Sequence, residues 1–289
     1  VEQDGVKVLI GPLSGDEGIA VKDYAKTQPD VTFLNGSSAA QDTTLRDPAE
    51  NFFRFSTDGA QWMAGLGDYA FNEKGYQKVA TVAEDYSFPY TQVFGFMAEF
   101  CKAGGTVPSK SWVPIGNKDY SSVIAAIPDD VDAIYVALGG ADAVNFLSQY
   151  NDAGGQAPLI GGSITVDQTV LTAKGRMRDV LIGTPAAGPT ADTNDAEAWT
   201  EFSAAYKKQD GAFPSPSLFA HAYYINMKAA LMRMPEVTDA FSEDEIDALL
   251  DPEAYIGLAA RMARDVGRRP ATAAEAWSAE LGTVVVLFD

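Results

Sequence analysis

The chain has 289 residues, 46% of them hydrophobic, and its 21 Lys and Arg against 40 Asp and Glu give a net charge of −19. This charge argues against nucleic acid as a partner, since phosphate binding requires a basic surface. The sequence contains no run of 18 apolar residues, so it does not predict a membrane-spanning helix. A single cysteine, Cys101, and a single histidine, His221, exclude an internal disulfide framework and a Cys/His zinc cluster. We therefore expect neither metal nor other cofactor.

The first element along the chain is an apolar run that ends at Gly11-Pro12, followed by small residues and an amphipathic segment from Ile19. A buried strand that leads through a small-residue loop into a helix leaves backbone N–H groups unpaired at the helix start, which favours an anion. Ser14 adds a hydroxyl, and Gly15 allows a ligand to approach the backbone. The segment predicts a small carboxylate site, with an ordinary strand-to-helix turn as the alternative.

Strand and helix patterns alternate over most of the chain, which indicates an α/β fold of parallel sheets covered by helices on both faces. Further strands are predicted at Val31–Asn35, Phe52–Thr57, Lys78–Asp85, Ala133–Gly139, Pro158–Gly162 and Val180–Pro185. The predicted helices are Ile19–Thr27, Ala60–Lys74, Tyr90–Ala103, Ser121–Ile127, Ala141–Asn151, Val166–Ala173, Ala196–Gln209 and Pro216–Met234.

Small or polar clusters recur where these strands end. They lie at Gly36–Gln41, Asp85–Tyr90, Gly139–Asp142 and Ser163. Ligands of open α/β sheets bind at the carboxyl ends of the strands, so this repetition predicts a binding site.

Motifs of enzymes are weak by comparison. The segment Gly65–Ala70 matches a dinucleotide-binding pattern, but it lies inside a predicted helix instead of a strand-to-helix turn. No Gly-x-Ser-x-Gly elbow occurs. His221 lies on an apolar helix, where a packed or cleft-lining histidine is a better interpretation than a catalytic base.

Six motifs, in this order, make residues 1 to 230 resemble the periplasmic solute-binding proteins of branched-chain amino-acid-type ABC transporters. They are Ile-Gly-Pro-Leu-Ser (10–14), Asn-Gly-Ser-Ser-Ala (35–39), Phe-Arg-Phe-Ser (53–56), Ala-Glu-Asp-Tyr (83–86), Ala-Ile-Tyr-Val-Ala-Leu-Gly-Gly (133–140) and Leu-Ile-Gly-Gly-Ser (159–163). The resemblance implies a type I binding protein of two doubly wound parallel-sheet lobes with a ligand cleft between them. It also implies a periplasmic location, delivery of ligand to a membrane permease, and no chemistry.

The resemblance implies lobe one at 1–57 plus 186–262 and lobe two at 58–185, with 263–289 of uncertain placement. In lobe one, Ser14 and Gly15 with Ser37, Ser38 and Ala39 would hold a ligand carboxylate. In lobe two, Tyr86 or Phe88 would supply an aromatic wall, with lobe packing as the alternative role. The turn at Gly139 and Gly140 would also contact ligand.

Three departures from the family pattern shape the expectations. The first lobe lacks two strand–helix units at its start, so we expect an open sheet edge at Val8 and Ile10. Amino-acid binders of the family place an acidic residue, which pairs with the ligand ammonium, where this chain has Ser163. This favours an apolar or aromatic carboxylate as the ligand. The alternative is that Asp85 or Asp142 supplies the negative charge for an ammonium. The closing segment after residue 235 is not recognisable.

Two other functions remain open from the sequence. A ligand-sensing receptor module on the same fold would bind ligand equally well. A lyase-like enzyme is a distant third, suggested only by a faint resemblance of Leu249–Gly257 to the fumarase and adenylosuccinate lyase superfamily.

Overall fold

The computed structural model describes residues 1–173, 177–190, 195–209, 211–232, residue 242 and the strand at 284–286. Its contacts divide the chain into two compact units. Unit 1 comprises Val1–Ser38, Asp42–Ser56 and the described residues within Asp192–Asp289. Unit 2 comprises Ala39–Gln41 and the described residues within Thr57–Ala191.

Among the described residues, each unit contains one four-stranded sheet, and every strand pairs in parallel with its neighbours. The strands are β1 (Val8–Ile10), β2 (Thr32–Leu34), β3 (Phe52–Phe53), β4 (Val79–Glu84), β5 (Lys110–Val113), β6 (Ala133–Ala137), β7 (Leu159–Gly161) and β8 (Val284–Val286).

The helices are α1 (Gly15–Ala25), α2 (Gly59–Trp62), α3 (Leu66–Asn72), α4 (Ser87–Ala103), α5 (Ser121–Ala125), α6 (Gly140–Asp152), α7 (Gln168–Leu171), α8 (Met177–Leu181), α9 (Glu197–Tyr206) and α10 (Leu218–Leu231). The expected fold of parallel sheets and connecting helices is confirmed.

The sheet of unit 1 has the order β3-β2-β1-β8. The pairing of Val8–Ile10 with Val284–Val286 gives β1 a neighbour on both sides. Val8 and Ile10 are buried accordingly, packed with Leu34 and Ala230. The open edge that we expected at these two residues is therefore wrong.

The sheet of unit 2 has the order β5-β4-β6-β7, and it positions most of the candidate site. β4 pairs with β6 from Val79 opposite Ala133 to Ala83 opposite Ala137. Every residue of β6 is completely buried, as expected for an apolar central strand covered on both faces. Because neighbouring strands run in the same direction, their carboxyl ends and the loops that follow meet at one edge of the sheet.

The predicted strand at Val180–Pro185 is wrong. Met177 and Leu181, four residues apart, turn into the core of unit 2 as one face of α8, and Ile182 is exposed. Only Ala186 then bridges to β7. The predicted helix Ala60–Lys74 is two helices, because Gly65 between them takes a left-handed φ of 85°. Strand β5 was not predicted.

Some expectations fall outside the described residues. These are the last two residues of the predicted helix Pro216–Met234, the lyase-like segment Leu249–Gly257, and residues 263–289 apart from the strand at 284–286.

Helix α4 lies directly on the backbone of α2 at Gly95. A Cβ at residue 95 would be 2.6 Å from both the Cα and the carbonyl oxygen of Ala60, closer than non-bonded atoms approach. The absence of a side chain at Gly95 thus permits the contact that holds α4 in place.

We expect Gly95→Ala to destabilise the protein. Overpacking against backbone costs about 1–3 kcal/mol or more, while the gain in helix propensity over glycine returns only about 1 kcal/mol. Urea unfolding measures the net loss. The control is Ala98→Ser, which adds one atom at an exposed position of the same helix. Equal or greater stability of Gly95→Ala would show that the two backbones are not in tight contact.

Candidate functional site

The start of α1 carries a capping box. The Ser14 Oγ accepts a hydrogen bond from the Glu17 N–H at 3.3 Å, and the Glu17 carboxylate accepts one from the Ser14 N–H at 3.1 Å. Two N–H groups at this helix start are thus hydrogen-bonded within the chain, and Asp16 and Glu17 add negative charge beside Gly15. The Ser14 hydroxyl retains its own proton for a ligand. The spacing Ser-x-x-Glu in the sequence is typical of such a capping box.

The loop after β2 is held against the α1 turn. The Ser37 N–H donates to the Pro12 carbonyl at 3.1 Å, which brings Ser37 beside the predicted carboxylate turn. Ser38 is completely buried, and a Cβ at Gly18 would lie 2.1 Å from its Oγ. The Ser38 hydroxyl therefore packs against the backbone of α1.

A side chain of α10 fixes the same loop. The Asn226 amide donates to the Gly36 carbonyl at 2.7 Å, and its oxygen accepts from the Phe55 N–H at 3.1 Å. The Tyr223 ring fills the place that a side chain at Gly36 would take. Sequence reasoning missed Asn226, because a single polar residue in an apolar helix does not reveal its distant partners.

In unit 2 the predicted aromatic wall lies at the start of α4. Tyr86 and Phe88 are neighbours with ring centroids 6.4 Å apart. Phe88 is buried edge-on against Trp62 at 5.6 Å, whereas Tyr86 is half-buried. Ala39 belongs to this unit, and its carbonyl accepts from the Gly59 N–H at 2.8 Å.

Ser163 is buried just beyond β7 and accepts a hydrogen bond from the Gln92 amide at 2.5 Å. Gln92 is completely buried on α4, one turn after Phe88. The structure thus brings Ser163 together with the helix that carries the aromatic pair. The hydrogen-bonded pair of Gln92 and Ser163 is neutral, so it provides no counter-charge for a ligand ammonium.

The last residue of β4, Glu84, was absent from the predicted site. Its Oε1 accepts a hydrogen bond from the Gly139 N–H at 2.9 Å, at the start of α6. Burial raises the pKa of Glu84 to about 7. The hydrogen bond from Gly139 lowers this pKa, the nearby Asp142 carboxylate raises it, and a hydrogen bond with the Tyr86 side chain lowers it. The predicted site residues Tyr86 and Gly139 therefore meet at this carboxyl group.

Asp85 and Asp142 occupy different surroundings. The Asp85 carboxylate accepts a hydrogen bond from the Tyr90 hydroxyl and lies at an exposed position. Asp142 is buried in the first turn of α6, where it accepts from the Gly116 N–H at 2.7 Å. Of the two acids considered from the sequence, only Asp142 affects the pKa of Glu84.

His221 packs edge-on against Trp199 at 5.2 Å and against Phe202 at 5.7 Å. Burial lowers the pKa of the imidazole. Within the described residues, no group of three or more His, Cys, Asp or Glu could hold a metal ion. No helix in the same part of the chain has both the length and the apolar character of a membrane span.

The chain matches the periplasmic binding protein family over residues 1–274. It belongs to this family. The resemblance inferred from the sequence motifs is thereby confirmed, and the family consists of solute-binding proteins, not of enzymes. No curated protein sequence matches the chain.

Solved structures show the same fold. An ABC transporter substrate-binding protein from Sphaerobacter thermophilus is 25% identical with a TM-score of 0.68, over 87% of this chain and 68% of that protein. A solute-binding protein from R. palustris in complex with 4-hydroxybenzoate is 22% identical with a TM-score of 0.70, over 88% and 66%. A leucine-binding protein from Thermotoga maritima is 20% identical with a TM-score of 0.67, over 86% and 69%. The chain thus spans about two thirds of these proteins.

The Glu84 carboxyl group predicts a pH dependence of stability. Because its pKa lies near 7 in the folded protein against a usual 4.5, folded Glu84 keeps a proton that unfolded Glu84 has lost. The free energy of unfolding therefore falls as the pH rises from about 4.5 to about 7, by up to about 3 kcal/mol.

Urea unfolding of the wild type and of Glu84→Gln across this range isolates the contribution, since the substitution removes the titrating group. The control is Glu99→Gln, a partly exposed glutamate of α4 whose carboxylate accepts from the Gly65 N–H. The same pH slope in the wild type and in Glu84→Gln would contradict the prediction.

Proposed function

We propose that the chain is the solute-binding component of an ABC importer, which captures a small carboxylate in the periplasm and delivers it to a membrane permease. Membership of the periplasmic binding protein family over residues 1–274 is the observation that carries this function. The strand-end loops support it, because they present hydroxyl and backbone groups at the edge where α/β sheets bind ligands.

In unit 1 the ligand carboxylate is held at the turn of Ser14 and Gly15 and at Ser37 and Ser38. Hydroxyl donors and backbone N–H groups suit a carboxylate without needing a basic side chain. Ser37 lies beside this turn through its bond to Pro12. In unit 2 the proposed ligand contacts are Ala39, Tyr86, Phe88, Gly139, Gly140 and Ser163.

The ligand is an apolar or aromatic carboxylate without an α-amino group. The neutral Ser163–Gln92 pair supports this class, because the pair itself offers an ammonium no counter-charge. Similar structures from R. palustris contain benzoate in one case and 4-hydroxybenzoate in another. The leucine-binding relative represents the competing class of ligand.

Calorimetric titration of the full chain with benzoate, phenylpropanoid acids, leucine, isoleucine and phenylalanine tests the class. We expect the acids to bind at least tenfold more tightly than the amino acids, since an unpaired buried ammonium costs roughly 1–3 kcal/mol or more. Tight binding of leucine without any binding of the acids would contradict this ligand class and identify the protein as an amino-acid binder.

A pair of variants tests the role of Ser163. Ser163→Asp places a carboxylate there, and we expect the preference to shift toward the amino acids by about tenfold. Ser163→Asn has nearly the same size without the charge, and it serves as the control. An equal response of the two variants would exclude charge at this position as the cause.

A further inference from the structure

A cavity of about 260 Å³ lies in unit 2, away from the candidate site. It lies at the amino ends of the strands, since Pro158 and Leu159 at the start of β7 and Tyr76 ahead of β4 line it. The loops of the candidate site follow the carboxyl ends of the same strands. Because β4 spans six residues, the two edges of the sheet are about 15–20 Å apart.

The walls of this cavity are fixed by contacts within unit 2. The Tyr150 hydroxyl of α6 donates to the Ala157 carbonyl at 2.8 Å. A Cβ at Gly155 would be 2.3 Å from the Tyr150 ring, so the loop after α6 lies directly on that ring. In the segment after α8, the Pro185 carbonyl accepts from the Gly161 N–H of β7 at 2.9 Å. The cavity is therefore largely preformed, as is usual for small-molecule sites.

The lining of the cavity consists of neutral groups of two kinds. Apolar side chains come from Leu159 and from the end of α8 and the turn after it, where Val180 is half-buried and Ile182 is 75% exposed. The Asn151 amide and the Thr184 hydroxyl supply hydrogen-bond donors and acceptors. No charged side chain is among the described residues that line the cavity. A charged ligand would lack a counter-charge here, which favours a neutral one.

The volume and the mixed lining narrow the class of ligand further. A cavity of about 150 Å³ holds benzene, so 260 Å³ accommodates one six-membered ring with substituents. The lining suits a ring that has both C–H and O–H groups. A sugar ring has this character, because its C–H groups pack on apolar side chains while its hydroxyls donate and accept hydrogen bonds. An unsubstituted aromatic ring would leave Asn151 and Thr184 without partners.

We propose that this cavity is a second binding site of the chain, for a neutral hydroxylated ring such as a monosaccharide unit. The Asn151 amide and the Thr184 hydroxyl hydrogen-bond to the ring hydroxyls, and Val180 and Ile182 contact its C–H groups. The cavity shares no residue with the proposed carboxylate site and lies at the opposite edge of the sheet. The two ligands therefore bind without competing, and this site does not depend on the proposed function.

Calorimetric titration of the full chain with methyl β-D-glucopyranoside, methyl β-D-glucuronide and phenol tests the class. The first two share a sugar ring and differ in that the glucuronide carries a carboxylate. We expect the glucoside to bind at least about tenfold more tightly than the glucuronide, which has no counter-charge in the cavity. Equal binding of the two sugars, or tighter binding of phenol than of the glucoside, would overturn the ligand class. Binding of none of the three at millimolar concentration would overturn the site.

A substitution that preserves shape locates this binding in the cavity. Thr184→Val removes a hydroxyl and keeps the size of the side chain, so the affinity for the glucoside is expected to fall about fivefold. The matched control is Thr172→Val, which removes a hydroxyl that donates to the Gln168 carbonyl outside the cavity. The control should bind the glucoside as the wild type does. An unchanged affinity in Thr184→Val, or an equal loss in both variants, would overturn the assignment.

A charge introduced at the rim provides a test that loss of stability would not mimic. Asn151 is exposed in the last turn of α6, where the helix dipole favours a positive charge. We expect Asn151→Lys to shift the preference toward the glucuronide by about tenfold, since the ammonium pairs with its carboxylate. Asn151→Gln, which adds no charge, should retain the preference for the glucoside. An unchanged preference in Asn151→Lys would show that the sugar binds elsewhere on the chain.

Discussion

The parallel register of β4, β6 and β7 is the constraint on which the rest of unit 2 depends. Ala83 lies opposite Ala137, and Val136 lies opposite Gly161. This pairing makes the three strands end together, so that Glu84, Gly139 and Ser163 follow one another along a single edge. A shift of one residue in any of these strands would move its side chains to the opposite face of the sheet and offset the three residues from one another.

Burying the Glu84 carboxyl group at this edge requires compensation from the backbone. The Gly139 N–H belongs to the start of α6, where the helix dipole favours negative charge. The Tyr86 side chain supplies a second hydrogen bond. These two interactions stabilise the ionised form, but burial outweighs them, and the group therefore titrates near neutral pH. The same contacts link the end of β4 to both loops that are proposed to contact the ligand.

The apolar periodicity of the sequence predicts the sheets because burial determines where the central strands lie. It missed β5, where Lys110 and Trp112 are exposed and the apolar run typical of a central strand is absent. It also misassigned Val180–Pro185, since a short apolar run fits one turn of helix as well as a strand. Only the φ of Gly65 divides Ala60–Lys74 into two helices, and a glycine in a helical pattern does not reveal its conformation.

The loops of the candidate site were predicted because parallel strands bring their ends together, but the contacts within the loops were not. Glu84 appeared as the end of an apolar run, and its role depends on Gly139, 55 residues later. Asn226 depends on Gly36, 190 residues earlier. Distant partners of this kind follow from the folded geometry, whereas the Ser14–Glu17 box is local and is visible in the sequence.

The hydrogen bond between Gln92 and Ser163 bears on how this protein changes ligands during evolution. Phe88 and Gln92 lie one turn apart on α4, and both pack against Gly59, where a Cβ would lie 3.0 Å from Phe88 and 3.3 Å from Gln92. A larger side chain at position 163 would compete for the space of the Gln92 amide, which lies one turn after the aromatic ring of Phe88. Positions 92 and 163 are therefore expected to covary among homologues, and a substitution at one is tolerated best when the other changes with it.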